Sequence, residues 1–144
     1  MFEKIVVATD GSDHANEALR VACDLAGKYD SSLHIVHTPQ AVGDTLIVGY
    51  TAVPVPPTKE EMEKAGREVI GAAEAFLREA GLSDFTSELV SGDPAHAIVE
   101  EAKARKADLI VMGRRGLGSL SGLLVGSTTT KVSQLAPCAV LTVK

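Results

Sequence analysis

Apolar positions along this chain follow two rhythms in turn. "KIVVATD" (Lys4–Asp10) is β-branched and nearly continuous in apolar character, as a strand covered on both faces should be. Ala15, Ala18, Leu19, Ala22, Leu25 and Ala26 then recur at helical spacing, with Ser12 or Asp13 as cap and Gly27 near the end. "SSLHIVHT" (31–38) reads as a second strand. Helical spacing returns from about Lys59 to Ala80, closed by Gly81. "FTSELVSG" (85–92) reads as a third strand, and "PAHAIVEEAKARK" (94–106) as a helix opening on Pro94, a favoured place for proline. "ADLIVMG" (107–113) is the most apolar strand, which predicts a central position in the sheet. Ser127 to Leu135 reads as a short helix, and "CAVLTVK" (138–144) as the last strand.

Strands alternating with helices predict an α/β fold: one domain over residues 1–144, built on an open parallel five-stranded sheet with helices on both faces, Rossmann-like in plan. Ligands of such sheets sit beyond the carboxyl ends of the strands, near the point where strand order reverses. Asp10, the strand end near Thr38 and the loop opening at Gly113 gather at that edge. One segment has no rhythm. Residues 39–58 hold four prolines and two glycines with no clear period, and are expected to form a mobile loop that closes partly over a ligand.

The stretch "GRRGLGSLSGLLVGSTTT" (113–130) holds five glycines, Gly113, Gly116, Gly118, Gly122 and Gly126, and then hydroxyl residues. It is not a P-loop, because no lysine follows a glycine with the required spacing. It also fails the GxGxxG dinucleotide pattern: Ser121 stands in the third position, and the stretch follows the fourth strand rather than the first. The spacing Gly113-x2-Gly116-x9-Gly126-Ser127 remains. Glycines let a backbone approach a ligand without a Cβ in the way. Gly126-Ser127 opens a helix, where amides and the helix dipole favour an anion, and Ser127 and Thr128 add hydroxyl donors. The plain alternative is an ordinary connection with a serine cap.

That spacing resembles the signature of the ATP-binding branch of the universal stress protein family. "VVATDGSDHANEAL" is similar to the family's first strand and helix, and "ADLIVMGRRG" and "APCAVLTVK" to its last two strands, so the likeness runs the whole chain. The resemblance implies an adenine nucleotide alpha hydrolase-like fold. It implies a module that binds ATP, with Mg²⁺ or Mn²⁺ bridging the phosphates, and that acts in stress signalling. It places Ala8, Thr9, Asp10 and Thr38 near adenine and ribose, Gly113, Gly116, Gly126, Ser127 and Thr128 around the phosphates, and Met112 in the nucleotide site with them; either Arg114 or Arg115 could also touch the phosphates. Asp10 could equally cap the first helix. A small hydroxyl residue is frequent in the family at the Arg114 position, so this chain departs there. The resemblance also implies a homodimer through the last strand (138–143), whose apolar edge needs covering.

Composition narrows the remaining possibilities. The net charge of −5 speaks against a nucleic-acid surface, no apolar run is long enough to span a bilayer, and the N-terminus does not read as a signal peptide, so a cytoplasmic protein is expected. Three Phe, two Tyr and no Trp leave little to stack on a flavin, which weighs against a flavodoxin-like electron carrier. An interaction protein with a vestigial pocket is the other alternative. Cys23 and Cys138 have no CxxC partner and read as buried, reduced thiols; His37 reads as structural, and His14, His34 and His96 as surface or packing residues. No Ser-His-Asp set or carboxylate pair can be assembled, so any ATP hydrolysis is expected to be slow.

Overall fold

The computed structural model describes residues 1–41, 43–116 and 125–144. In chain order the elements are β1 (Lys4–Ala8), α1 (Asp13–Tyr29), β2 (Ser32–His37), β3 (Asp44–Val48), β4 (Thr51–Val55), α2 (Lys59–Glu79), β5 (Phe85–Leu89), α3 (Pro94–Arg105), β6 (Leu109–Gly113), α4 (Ser127–Leu135) and β7 (Ala139–Val143). Five strands form a parallel sheet in the order β5-β2-β1-β6-β7. The chain winds outward from β1 to β5, then crosses back to β6, so order reverses between β1 and β6. The expectation of a central 107–113 strand is corrected by this topology. β6 is interior, but β1 takes the middle because both halves of the fold are laid down beside it.

Alternation along the strands builds two cores. Ile5, Val7, Leu33, Ile35, Leu109 and Val111 face Ala18, Leu19, Ala22 and Ala26 of α1 and Ala73 and Leu77 of α2. Val6, Ala8, Val36, Ile110 and Met112 face Ala95, Ile98, Val99 and Ala102 of α3 and Val132 of α4. Local chemistry sets the helix ends. Ser12 caps α1, accepting from the Ala15 amide at 3.3 Å, and Thr58 and Glu61 form a reciprocal capping box on α2. Asp93 caps α3, directly before Pro94. Gly27 lies near the end of α1, as its position had predicted. The helix runs on to Tyr29, and Asp30 takes the left-handed turn at φ 54°. The two thiols are half-buried rather than buried, and burial raises the pKa of both.

The segment expected to be a structureless loop contains an antiparallel hairpin instead. Asp44 pairs with Val55, and Val48 with Thr51. Gly49 has φ +65° while Tyr50 is not in the positive-φ region, the II′ pattern that matches strand twist across a two-residue turn. Every hairpin residue is exposed, so no buried face imposes the alternation by which strands are recognised. Pro54 is tolerated because each strand has a free edge.

Gly113, at the end of β6, couples the sheet to α1. A Cβ there would lie 2.9 Å from the Ala15 nitrogen and from the carbonyl carbon and Cβ of His14. No backbone can give way cheaply at that distance. Gly113→Ala should therefore lower stability by about 1–3 kcal/mol in urea unfolding; an unchanged midpoint would mean that α1 does not pack this closely on β6. In the same assay Ile35→Ala should cost about 2–5 kcal/mol. Ile47→Ala, at a position 79% exposed in the hairpin, should stay within about 0.5 kcal/mol. Comparable losses at the two isoleucines would show that the hairpin is packed in solution.

Candidate functional site

The carboxyl ends of β1 and β6 flank the point of order reversal, and most of the sequence-predicted site residues converge there. Thr9 leaves β1, with its amide donating to Val36 O at 3.0 Å and its hydroxyl accepting from the Gly11 amide at 3.3 Å. Asp10 Oδ1 accepts from the Ser12 amide at 2.9 Å, which turns the chain into α1. A Cβ on Gly116 would sit 2.4 Å from Asp10 Oδ2, so the glycine brings that segment against the Asp10 carboxylate. The cap of α1 is Ser12, so the alternative reading of Asp10 as that cap is corrected: Asp10 shapes the turn that leads into the helix.

A short hydrogen-bond chain holds the exit of β6. The Arg114 amide donates to Val143 O at 2.7 Å, and the Gly126 amide to Arg114 O at 2.8 Å. Thr129 Oγ1 donates to Gly113 O at 2.9 Å. The start of α4 is thereby fixed beside the end of β6. Its N-cap, Gly126, is buried and offers no side-chain cap, and its first-turn amides have no acceptor within the helix. Ser127 is exposed at that end and Thr128 half-buried. Gly118, Ser121 and Gly122 lie outside the described residues.

Ala8 and Met112 are paired across β1 and β6, and their side chains are buried in the core under α3 and α4. Only their backbone groups are presented at the edge. Thr38 is buried at the end of β2, and its hydroxyl has no hydrogen-bond partner. Neighbouring His37 is also buried, and its Nδ1 lies 2.7 Å from Thr9 O. A carbonyl only accepts, so Nδ1 carries the proton. Burial lowers the His37 pKa, opposed by the bond to Thr9 and by the charge of Asp10. His37 is thus the structural residue its position predicted: it ties the end of β2 to the end of β1.

Five buried side-chain polar atoms of described residues lack a hydrogen-bond partner, and four of them, His14 Nδ1, Thr38 Oγ1, Arg114 Nε and Arg115 Nε, belong to this edge. Buried polar groups are normally paired, so this concentration singles out the edge as the candidate site. His14, expected to be a surface or packing residue, is thereby added to the site. Sequence could not place it: only the close packing of Gly113 on α1 brings His14 beside the glycine segment. A cavity of about 640 Å³ starts from the same edge, lined by Thr9 and Gly11, and runs between α1 and α2 past Leu19, Val69 and Phe76. No described helix is long and apolar enough to cross a membrane.

The sequence profile described as "Universal stress protein family" matches residues 1–144. A universal stress protein of Thermus aquaticus is 40% identical over 144 residues, covering 100% of both chains. Among solved structures, a universal stress protein in complex with cAMP superposes with a TM-score of 0.73 at 30% identity, covering 99% of this chain and 97% of that one. The universal stress protein from Archaeoglobus fulgidus in complex with dAMP gives 0.72 at 26%, covering 99% and 98%. Matched along its whole length by profile, sequence and structure, this chain belongs to the universal stress protein family.

Proposed function

We propose that this chain is an ATP-binding module of the universal stress type, with the nucleotide lying across the carboxyl edge between β1 and β6. The observation that carries the reading is the concentration of partnerless buried polar atoms at that edge. Thr38 and the backbone at Ala8 and Thr9 suit adenine, and the Asp10 carboxylate suits a ribose hydroxyl. Arg114 and Arg115 supply positive charge, and the uncapped start of α4 supplies amides. Gly113, Gly116 and Gly126 keep the backbone free of side chains around them. Mg²⁺ or Mn²⁺ would then bridge phosphate oxygens and take its other ligands largely from water. Two structural neighbours are described as bound to cAMP and dAMP, which supports an adenine nucleotide in this fold. The choice of ATP rests on the long glycine spacing and on two arginines, more than one phosphate requires. Any ATP hydrolysis is expected to be slow, so the module binds and reports rather than turns over.

The same reading includes a homodimer through β7. That strand closes the sheet on one side, with Leu141 37% exposed. Val143 O accepts from Arg114 on the β6 side, so the backbone groups of Thr142 face the free edge.

Titration calorimetry should show ATP binding more tightly than AMP or cAMP. Gly126→Val should weaken ATP at least about tenfold, through loss of close approach at a helix start, with the melting curve preserved. Wild-type affinity in the folded variant would exclude the glycine segment as the phosphate site. For assembly, the wild-type chain should sediment as a dimer at micromolar concentration. Thr142→Pro should give a folded monomer, because proline removes an edge donor without breaking the β6 ladder. A monomeric wild-type protein would rule the interface out.

A further inference from the structure

A second polar cluster lies under α3, on the face of the sheet opposite α1 and α2. His34 on β2, Glu88 on β5 and Glu101 on α3 bring one nitrogen and two carboxylate oxygens within 4.8 Å of one another. His34 is 4% exposed, and its Nε2 is the fifth of the buried polar atoms without a hydrogen-bond partner. That nitrogen lies 3.4 Å from Glu101 Oε2. His34 Nδ1 is 2.7 Å from Thr86 Oγ1. With the proton on Nδ1 and donated to Thr86, the Nε2 lone pair is left facing the Glu101 carboxylate.

We propose that His34 Nε2, Glu88 and Glu101 form a binding site for a divalent transition-metal ion of the zinc class. Tetrahedral ligands about 2.1 Å from a zinc ion are separated from one another by roughly 3.4 Å. The His34–Glu101 spacing already equals that edge. Glu88 is exposed and needs only a side-chain rotation to complete three protein ligands, with water as the fourth. The Thr86 hydroxyl does what an outer-shell group does for metal-bound histidine: it fixes the tautomer and the ring plane. An imidazole with only two carboxylates suits zinc better than calcium or magnesium, which need six or more oxygen ligands or several waters. Burial, with the Arg105 charge adding to it, pushes the His34 pKa down to about 4, so the ring is a neutral donor at neutral pH. A cavity of about 380 Å³ at the amino ends of the strands, lined by His34, Thr86 and Arg105, provides the way in.

Arg105 now neutralises the carboxylates. Its Nε lies 3.0 Å from Glu101 Oε2 and its Nη2 3.2 Å from Glu88 Oε2. It is the last residue of α3, and its side chain is 36% exposed. It can swing into water while a dication takes its place and balances both carboxylates. Arginine and metal therefore compete, which a merely structural ion-pair network would not predict.

The test uses the purified full chain without nucleotide, titrated with Zn²⁺ by calorimetry and with Co²⁺ by visible absorption. Wild type should bind one Zn²⁺ per chain and show the visible band of tetrahedral Co²⁺. His34→Gln and Glu101→Gln should each weaken Zn²⁺ at least about tenfold. Arg105→Gln should tighten it. Circular dichroism checks each fold; Glu101 is only half-buried, so its variant carries the test if His34→Gln fails to fold. No Zn²⁺ binding by wild type, undiminished affinity in folded Glu101→Gln, or an Arg105→Gln variant no tighter than wild type would each overturn the assignment.

Discussion

The junction between Gly113 and Arg114 is the constraint on which the rest of the carboxyl edge depends. Four elements meet there through the backbone. Gly113 lies against the first turn of α1, its carbonyl accepts from Thr129 in α4, and the Arg114 amide and carbonyl bond to Val143 in β7 and to Gly126. A side chain at residue 113 would push α1 away from β6. The starts of α1 and α4 would then no longer point into the same space. Gly113 therefore serves the candidate site indirectly, by bringing two helix starts to one strand end.

The three inner strands of the sheet beneath this junction, β2, β1 and β6, are covered on both faces. Odd positions of β1, β2 and β6 fill one core and even positions the other, and no buried residue of β1 or β6 is polar. The hairpin β3–β4 is the opposite case. It pairs its own backbone but buries nothing, so its stability rests on one turn and one ladder.

Two histidines of β2 show how burial divides structure from chemistry. His37 and His34 are both buried, and burial lowers both pKa values. His37 gives its proton to a fixed carbonyl and locks two strand ends together. His34 bonds through one nitrogen and leaves the other facing Glu101. The same residue type on one strand thus serves as a staple at one position and as an unused donor at the other. The difference lies wholly in what β1, β5 and α3 place opposite each ring.

Much of the fold was legible in the sequence. A parallel sheet with two covered faces must be written as apolar strands alternating with amphipathic helices, and both rhythms are local. Ser12, Gly81 and Pro94 likewise marked helix ends by chemistry acting within a few residues. The glycine spacing and the edge residues Asp10 and Thr38 were legible too, because topology alone sends the ends of β1, β2 and β6 to one side. What escaped was decided by partners distant in sequence. The place of β1 at the centre depends on where α3 returns the chain. The hairpin gave no pattern because no core imposed one. His14 joined the carboxyl edge, and His34 met two carboxylates from other elements, only once α1 and α3 had docked. Side chains so brought together carry no spacing signal, since their proximity is a product of packing and not of the order in which they occur.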